Sequence, residues 1–442
     1  MNAPRLLTLP LALFTLGLVG QASAQAQSLT ALYEAASKYD AGFQSARAQY
    51  EANLAKADQS RAAILPTANL AAGISRSDFE NTNPVVNRSY GTRNANINAS
   101  QPLYRPGNWA SYEQGQKSAQ IAQAQLQAAE QDLIVRVSQA YFDVLSSQDS
   151  LTFVRAQKAA VAEQLAAAKR NFEVGTSTIT DTREAQARYD LVLAQEIAAE
   201  NDLSVKKMAL DQLVGTPGTV PWGLASPVKL PALSPADMAA WVAQAESAHP
   251  VVRQAELGVQ IAQLESDKAR AGHKPTLDAV ASYGVTRNDG SAASPLTSRS
   301  TSATLGLSFN LPLFAGFATQ NRLRETLSLE EKARADLEAA RRSVSQATRT
   351  AYLGVLSGMG QVKALEAAEV SSQSALDANK LGYQVGVRIN IDVLNSQSQL
   401  YQTKRDLAQA RYSVMLGNLK LRQAAGSLKA EDLAAFTALL QK

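Results

Sequence analysis

The chain repeats itself at an offset of 211 residues, and that duplication limits what it can fold into. Phe172 and Tyr383, Gly175 and Gly386, Asp181 and Asp392, and Gln186 and Gln397 all fall at this spacing, as do AYFDVLS from Ala140 and AYLGVLS from Ala351. QPLY at Gln101 matches LPLF at Leu311, and the Pro-Thr pair at Pro66 matches the one at Pro275. Each copy therefore holds a Pro-Thr segment, a Pro-Leu-aromatic segment, an Ala-rich region and a Val-Gly turn, in that order. A repeat of this length predicts two structurally equivalent halves and not a short-period solenoid.

Four segments alternate with a period of two. Ala68, Leu70, Ala72 and Ile74 alternate with Thr67, Asn69, Gly73 and Ser75; Ala95, Ile97 and Ala99 alternate with asparagines. In the second copy, Leu277 to Val285 and Ala303 to Leu311 do the same. Each run is close to the ~10 residues of a tilted outer-membrane strand. A soluble hairpin with one buried face gives the same alternation, so both readings stand at this point. Arg76 to Arg93 and Arg287 to Thr301 read as long polar loops.

The rest of the pattern is helical. Leu126, Leu133, Val137, Tyr141, Val144, Leu151, Val154, Val161, Leu165, Ala168 and Phe172 step by threes, fours and sevens within a predicted helix from Asn108 to Phe172. A second helix returns from about Ser177 to Val214, and the second copy repeats the pair at about 318–383 and 389–425. Shorter helices, about 29–65 and 235–272, lead into the first strand of each half. Residues 1–24 read as a signal peptide: Arg5, an apolar run from Leu6 to Val19, then Ala22-Ser23-Ala24. The expected organisation is 25–214 and 236–426 as the two repeats, 215–235 as a Pro/Gly-rich linker, and 427–442 as a C-terminal segment.

Composition excludes several functions. The absence of cysteine removes disulfides, thiolate metal sites and a cysteine nucleophile. The formal charge of +4 is spread among both signs, so no nucleic-acid face is expected. His249 and His273 flank a predicted helix and form no short-spaced metal pair. Neither a phosphate loop nor a nucleophile elbow occurs, so the sequence predicts no enzyme and no cofactor. A periplasmic coiled-coil adaptor or scaffold would account for the helices but not for four duplicated strands. Four strands cannot close a barrel alone, because bacterial outer-membrane barrels need eight or more.

The motifs FEVGTSTITDTREAQARYDLVLA from Phe172, YQVGVRINIDVLNSQSQLY from Tyr383, GHKPTLD from Gly272 and LGLSFNLPLFAGF from Leu305 occur in one order. In combination they resemble the TolC family of outer-membrane channels across the whole mature chain. The resemblance implies an α plus transmembrane β fold: four strands forming a third of a twelve-stranded barrel, and long antiparallel coiled-coil helices forming a periplasmic tunnel. It also implies a homotrimer in outer-membrane lipid, working with a periplasmic adaptor and an inner-membrane ABC, RND or MFS transporter. The linker and the C-terminal segment would form an equatorial belt. Tyr383 and Arg388 would hold a gate against Thr180 and Asp181, with Asp392 lining the constriction. Asn395 departs from the family, where a second aspartate is expected. Val174-Gly175 and Val385-Gly386 would be the adaptor-docking tips.

Overall fold

The computed structural model describes residues 27–225, 228, 230 and 232–441; the expected signal segment lies outside them. The chain begins with α1 (Leu29–Tyr39) and α2 (Ala41–Ser60), followed by a short 3-10 turn. The sequence predicts one helix here. Asp40 divides it, because its carboxylate accepts the Phe43 amide at 2.7 Å and caps a new helix. Then come β1 (Thr67–Thr82), β2 (Val85–Tyr104), α3 (Pro106–Glu173), α4 (Ile179–Val214) and the short β3 (Gly223–Leu224). The second half follows with α5 (Met238–Ala248), α6 (Pro250–Ala271), β4 (Thr276–Asn288), β5 (Ser298–Asn310), α7 (Ala318–Gln384) and α8 (Asn390–Ala424). Pro250 separates α5 from α6, where one helix is again predicted, because proline fits the first turn of a helix and not its interior. The chain ends with α9 (Asp432–Thr437) and β6 (Leu440–Gln441).

The long strands form one antiparallel sheet in the order β1-β2-β4-β5. Two of them outrun the predicted length: β1 has 16 residues and β2 has 20, joined by a tight turn at Asn83 and Pro84. The expected loop from Arg76 to Arg93 is therefore mostly strand, and the loop between β4 and β5 shrinks to 289–297. Beyond the alternating stretch the face that was apolar turns polar with Arg76, Asp78 and Glu80, while Phe79, Val86 and Tyr90 stand on the other, so the period-two signal vanishes while backbone pairing continues.

Register sorts the sheet into two faces. Leu70 lies opposite Ile97, Ile97 opposite Tyr283, and Tyr283 opposite Ala303; the neighbouring row reads Ala68, Ala99, Ala281 and Leu305. The other face carries Asn69, Asn98, Ser282 and Thr304 in one row and Gly73, Asn94, Thr286 and Ser300 in another. Thr67, Asn69, Asn98, Ser282 and Thr304 line a hollow, so the sheet curves toward its polar side. Leu305, Leu307 and Phe309 are 85%, 69% and 65% exposed on the apolar side. Water would not tolerate so large a bare apolar band, and lipid favours it. Leu313, Phe314, Phe317 and Trp109 stand exposed where the sheet meets the helices, the position of an interfacial aromatic belt.

Helix α3 has 68 residues and α7 has 67, about 100 Å each. The predicted seam on α3 is buried except at Leu126 and Phe172. The repeat extends to packing: Leu133 and Val344, Val144 and Val355, Leu151 and Val362, and Leu210 and Leu421 are buried at equivalent places. The largest core sits at the waist of the helices, where α1, α3, α4, α8 and α9 meet. There Tyr412 stacks on Phe142 with centroids 6.0 Å apart and donates to Asp149 at 2.7 Å, tying α8 to α3. The linker and the C-terminus meet at this level through the β3–β6 pair. Tyr141 holds the linker by donating to the Trp222 carbonyl at 2.9 Å.

Gly426 closes the waist. Its φ is +70°, and a Cβ there would lie 2.5 Å from the His249 Cα. Gly426→Ala should therefore cost about 2–5 kcal/mol, combining left-handed backbone strain with overpacking. Gly218→Ala has a similar φ of +76° with open space around it, and should cost only about 1–2 kcal/mol. Urea midpoints of the two variants in detergent are the check; equal losses would refute the packing argument.

Candidate functional site

The two helical hairpins end in matching turns. Val174 donates its amide to the Arg170 carbonyl and Thr176 to Asn171; Val385 donates to Leu381 and Val387 to Gly382, again 211 residues apart. Gly175 and Gly386 have φ of +77° and +79°, and nothing lies within 4 Å of an added Cβ at either. Glycine is needed there for the left-handed backbone that ends the helix, not for room. Each tip exposes apolar side chains: Val174 is 72% exposed, Val385 65%, Val387 75% and Ile389 61%.

Past the turns the halves diverge. Thr178 caps α4 in a capping box: its Oγ1 accepts the Asp181 amide at 3.2 Å, and the Asp181 carboxylate accepts the Thr178 amide at 3.0 Å. Asp181 also accepts the Ser177 hydroxyl at 2.6 Å. The Ser177 hydroxyl above all, with Thr178, holds the Asp181 carboxyl below the usual carboxylate range. At the equivalent cap of α8 stands Ile389, which has no side chain to offer. Asp392 is therefore free of capping and lies 3.7 Å from Arg388.

Asp181, Tyr383 and Arg388 line one cleft of about 530 Å³ between the tips, together with Asn171, Ser177 and Asn390. Among the described residues no hydrogen bond joins Tyr383 or Arg388 to Thr180 or Asp181. Tyr383 Oη accepts from Asn171 Nδ2 at 3.3 Å, and Thr180 Oγ1 shares a 3.1 Å hydrogen bond with Thr178 Oγ1. Asn395 accepts from Arg188 Nη2 of α4 at 2.9 Å, which binds α8 to the first hairpin. Sequence reasoning missed Asn390. It is 1% exposed, pairs with Gln164 of α3, and donates to the Asp181 carbonyl at 3.5 Å. Its first-turn position beside an uncapped Ile389 was the available signal. Leu394 completes the junction, buried among Val161, Leu165, Ala185 and Val192.

No group of three His, Asp or Glu suited to a metal occurs among the described residues. His249 serves as a helix cap, its Nδ1 accepting the Val251 amide at 3.2 Å. Among the described residues no helix is long and apolar enough to cross a membrane.

A curved sheet with an apolar outer face, running directly into helices several times the thickness of a bilayer, defines a subunit of an outer-membrane channel. The sequence profile described as "Outer membrane efflux protein" matches residues 20–216 and 241–427, one stretch in each half. "Outer membrane protein TolC" of Vibrio cholerae is 36% identical over 422 residues, covering 92% of each chain. "Alkaline protease secretion protein AprF" of Pseudomonas aeruginosa is 30% identical over 91% of this chain and 85% of its own. The crystal structure of the outer membrane protein VceC of Vibrio cholerae shares the fold, with a TM-score of 0.76 at 18% identity over 90% of this chain and 96% of its own. The chain belongs to the outer membrane efflux protein family, that of TolC. It is an outer-membrane exit duct with its helical part in the periplasm, and its family is one of channels, not enzymes.

The unequal caps give a test. Thr178→Ala should open the first tip by about 1 kcal/mol, whereas Ile389→Ala removes no cap bond at the second. Since the Asp181 carboxyl is held low, its contribution is present above the ordinary carboxylate pKa of about 4 and is lost only as pH falls below that. Hydrogen exchange of amides 176–182, referenced to unstructured peptide, should thus be unchanged between pH 8 and 5. Loosening of this tip already at pH 5.5 would overturn the assignment.

Proposed function

We propose that three copies of this chain form one closed duct, with a twelve-stranded barrel in the outer membrane and a periplasmic tunnel closed at the helical tips. The observation that carries this reading is the sheet: four strands, both edges unpaired, apolar outside and polar inside. An open edge in hydrocarbon leaves backbone groups unsatisfied at several kcal/mol each. Rotation of identical chains, β5 of one against β1 of the next, closes such a ring. Mass measurement of the detergent-extracted complex should give a trimer; a stable monomer sinks both barrel and tunnel.

The duct serves efflux, type I protein secretion, or both; names such as that of the alkaline protease secretion protein support the second. An inner-membrane ABC, RND or MFS transporter supplies the cargo through a periplasmic adaptor. The tips around Gly175 and Gly386 are the adaptor's docking surface, supported by their exposed valines. Gly175→Asp with Gly386→Asp should abolish efflux in a complementation assay while the barrel remains folded. Transport at wild-type level in that double variant rules the docking surface out.

Gating resides in Tyr383, Arg388 and Asp392, with Thr180 and Asp181 on the facing tip of the first hairpin. Arg388 is 58% exposed, so each ionic link is worth at most about 1 kcal/mol, and three copies sum weak contacts into a closed state. Tyr383→Phe with Arg388→Ser should raise planar-bilayer conductance more than either change alone. Three Asp392 carboxylates form a cation-selective ring, weaker than a doubled ring because Asn395 is neutral. Asp392→Asn should nearly remove block by hexamminecobalt; undiminished block excludes Asp392 from the pore lining.

A further inference from the structure

The apolar face of the sheet ends in a row of arginines. Arg93 lies directly opposite Arg287, and Arg287 directly opposite Arg299. Side chains directly opposite each other share a face, with Cβ atoms about 5 Å apart. Arg287 is two and four residues beyond Val285 and Tyr283, so the row belongs to the apolar, lipid-directed face. Arg76 continues it on β1, two residues past Ile74, which itself faces Arg93. All four arginines are exposed. Their shared counter-charge is weak: Asp289 lies 3.8 Å from Arg93 and 3.9 Å from Arg287. Arg299 has no partner among the described residues, and Arg76 donates to the Ser89 hydroxyl at 2.9 Å. Farther out on the β1–β2 hairpin the same face carries Asp78 and Glu80.

Like charges placed directly opposite destabilise a sheet, so this row needs an anion that the chain does not supply. Its height says where that anion lies. From Leu277, the lowest apolar position on β4, to Arg287 is ten residues, about 33 Å of strand, or about 25 Å of height at the tilt usual for barrels. That equals the apolar band of an outer-membrane barrel, so the row sits on its rim at the end away from the periplasmic helices.

We propose that Arg93, Arg287 and Arg299, with Arg76, bind the phosphate groups of glycolipid headgroups in the outer leaflet of the outer membrane. Guanidinium groups suit this work: they stay charged and bind phosphate oxygens in pairs. The site rests on the outer-membrane reading of the sheet, and it fixes the height of the barrel as well as recruiting lipid.

The test uses the full-length detergent-extracted channel with bisphosphorylated lipid A, its dephosphorylated form, and inorganic phosphate. Bisphosphorylated lipid A should bind the wild type and raise its Tm; the dephosphorylated lipid and free phosphate should not. The variant Arg93→Ser, Arg287→Ser, Arg299→Ser should bind at least about tenfold more weakly, yet melt higher than wild type in lipid-free detergent because the mutual repulsion is gone. Arg287→Lys should keep part of the affinity, and Arg88→Ser, in the same hairpin but on the other face, should keep all of it. Equal binding of the dephosphorylated lipid, an equal response to inorganic phosphate, or undiminished binding by the triple variant overturns the proposal. Leu305→Trp, reconstituted with brominated lipids, keeps the two readings apart: quenching places the sheet in lipid whatever the glycolipid result.

Discussion

The unpaired edges of the four-stranded sheet govern everything else in this molecule. In hydrocarbon a backbone N–H or C=O without a partner costs several kcal/mol, and β1 and β5 each present a full row of them. Every remaining feature answers that demand. The polar inner face presupposes a lumen, the apolar outer face presupposes lipid, and the curvature toward the polar side presupposes closure. The helices follow from the same geometry, since strands that close a ring hand their chain to helices already arranged around that ring.

Much of this was legible in the residues. The duplication implied equivalent halves, and the alternation of Leu70, Ile97, Tyr283 and Leu305 with asparagine, serine and threonine marked strands with one apolar and one polar face. Membrane and soluble readings fit those strands alike until the motifs' resemblance to outer-membrane channels favoured lipid. The outer hairpin was not legible. Arg76 to Arg93 shows no clean alternation because Arg76, Asp78 and Glu80 replace the apolar residues on one face while Phe79, Val86 and Tyr90 stand on the other. The divided helices at Asp40 and Pro250 were readable in principle, one as a cap and one as a first-turn proline. The apolar period ran across both and hid them.

The candidate site was legible as a pair of turns but not as a set of contacts. The offset placed Gly175 with Gly386 and Asp181 with Asp392, and nothing in the spacing distinguished the two aspartates. What distinguishes them is one residue three positions earlier. Thr178 engages Asp181 in a capping box, whereas Ile389 leaves Asp392 uncapped and within reach of Arg388. Asn390, adjacent to that isoleucine, turned inward to bind Gln164 and the Asp181 carbonyl.

This asymmetry bears on how a duplicated chain opens a single channel. In the proposed trimer, two tips capped alike would make six equivalent hairpins that have to loosen together. Under the proposed gating, the first tip, locked by its own cap, would be the fixed wall, and the second, which has no side-chain cap and is held by tertiary contacts, the moving part. Helix α8 has the right connections for that role. It packs on α7 through Val393 and Leu400 and on the first hairpin through Leu394, Asn390 and Asn395. Of these links only the exposed Asn395–Arg188 bond gives way at small cost, about 1 kcal/mol; Asn390 and Leu394 are buried against the first hairpin, and Leu400 packs within its own. In the proposed gate, opening would exchange the exposed links between hairpins while Leu394 keeps α8 seated on the first hairpin.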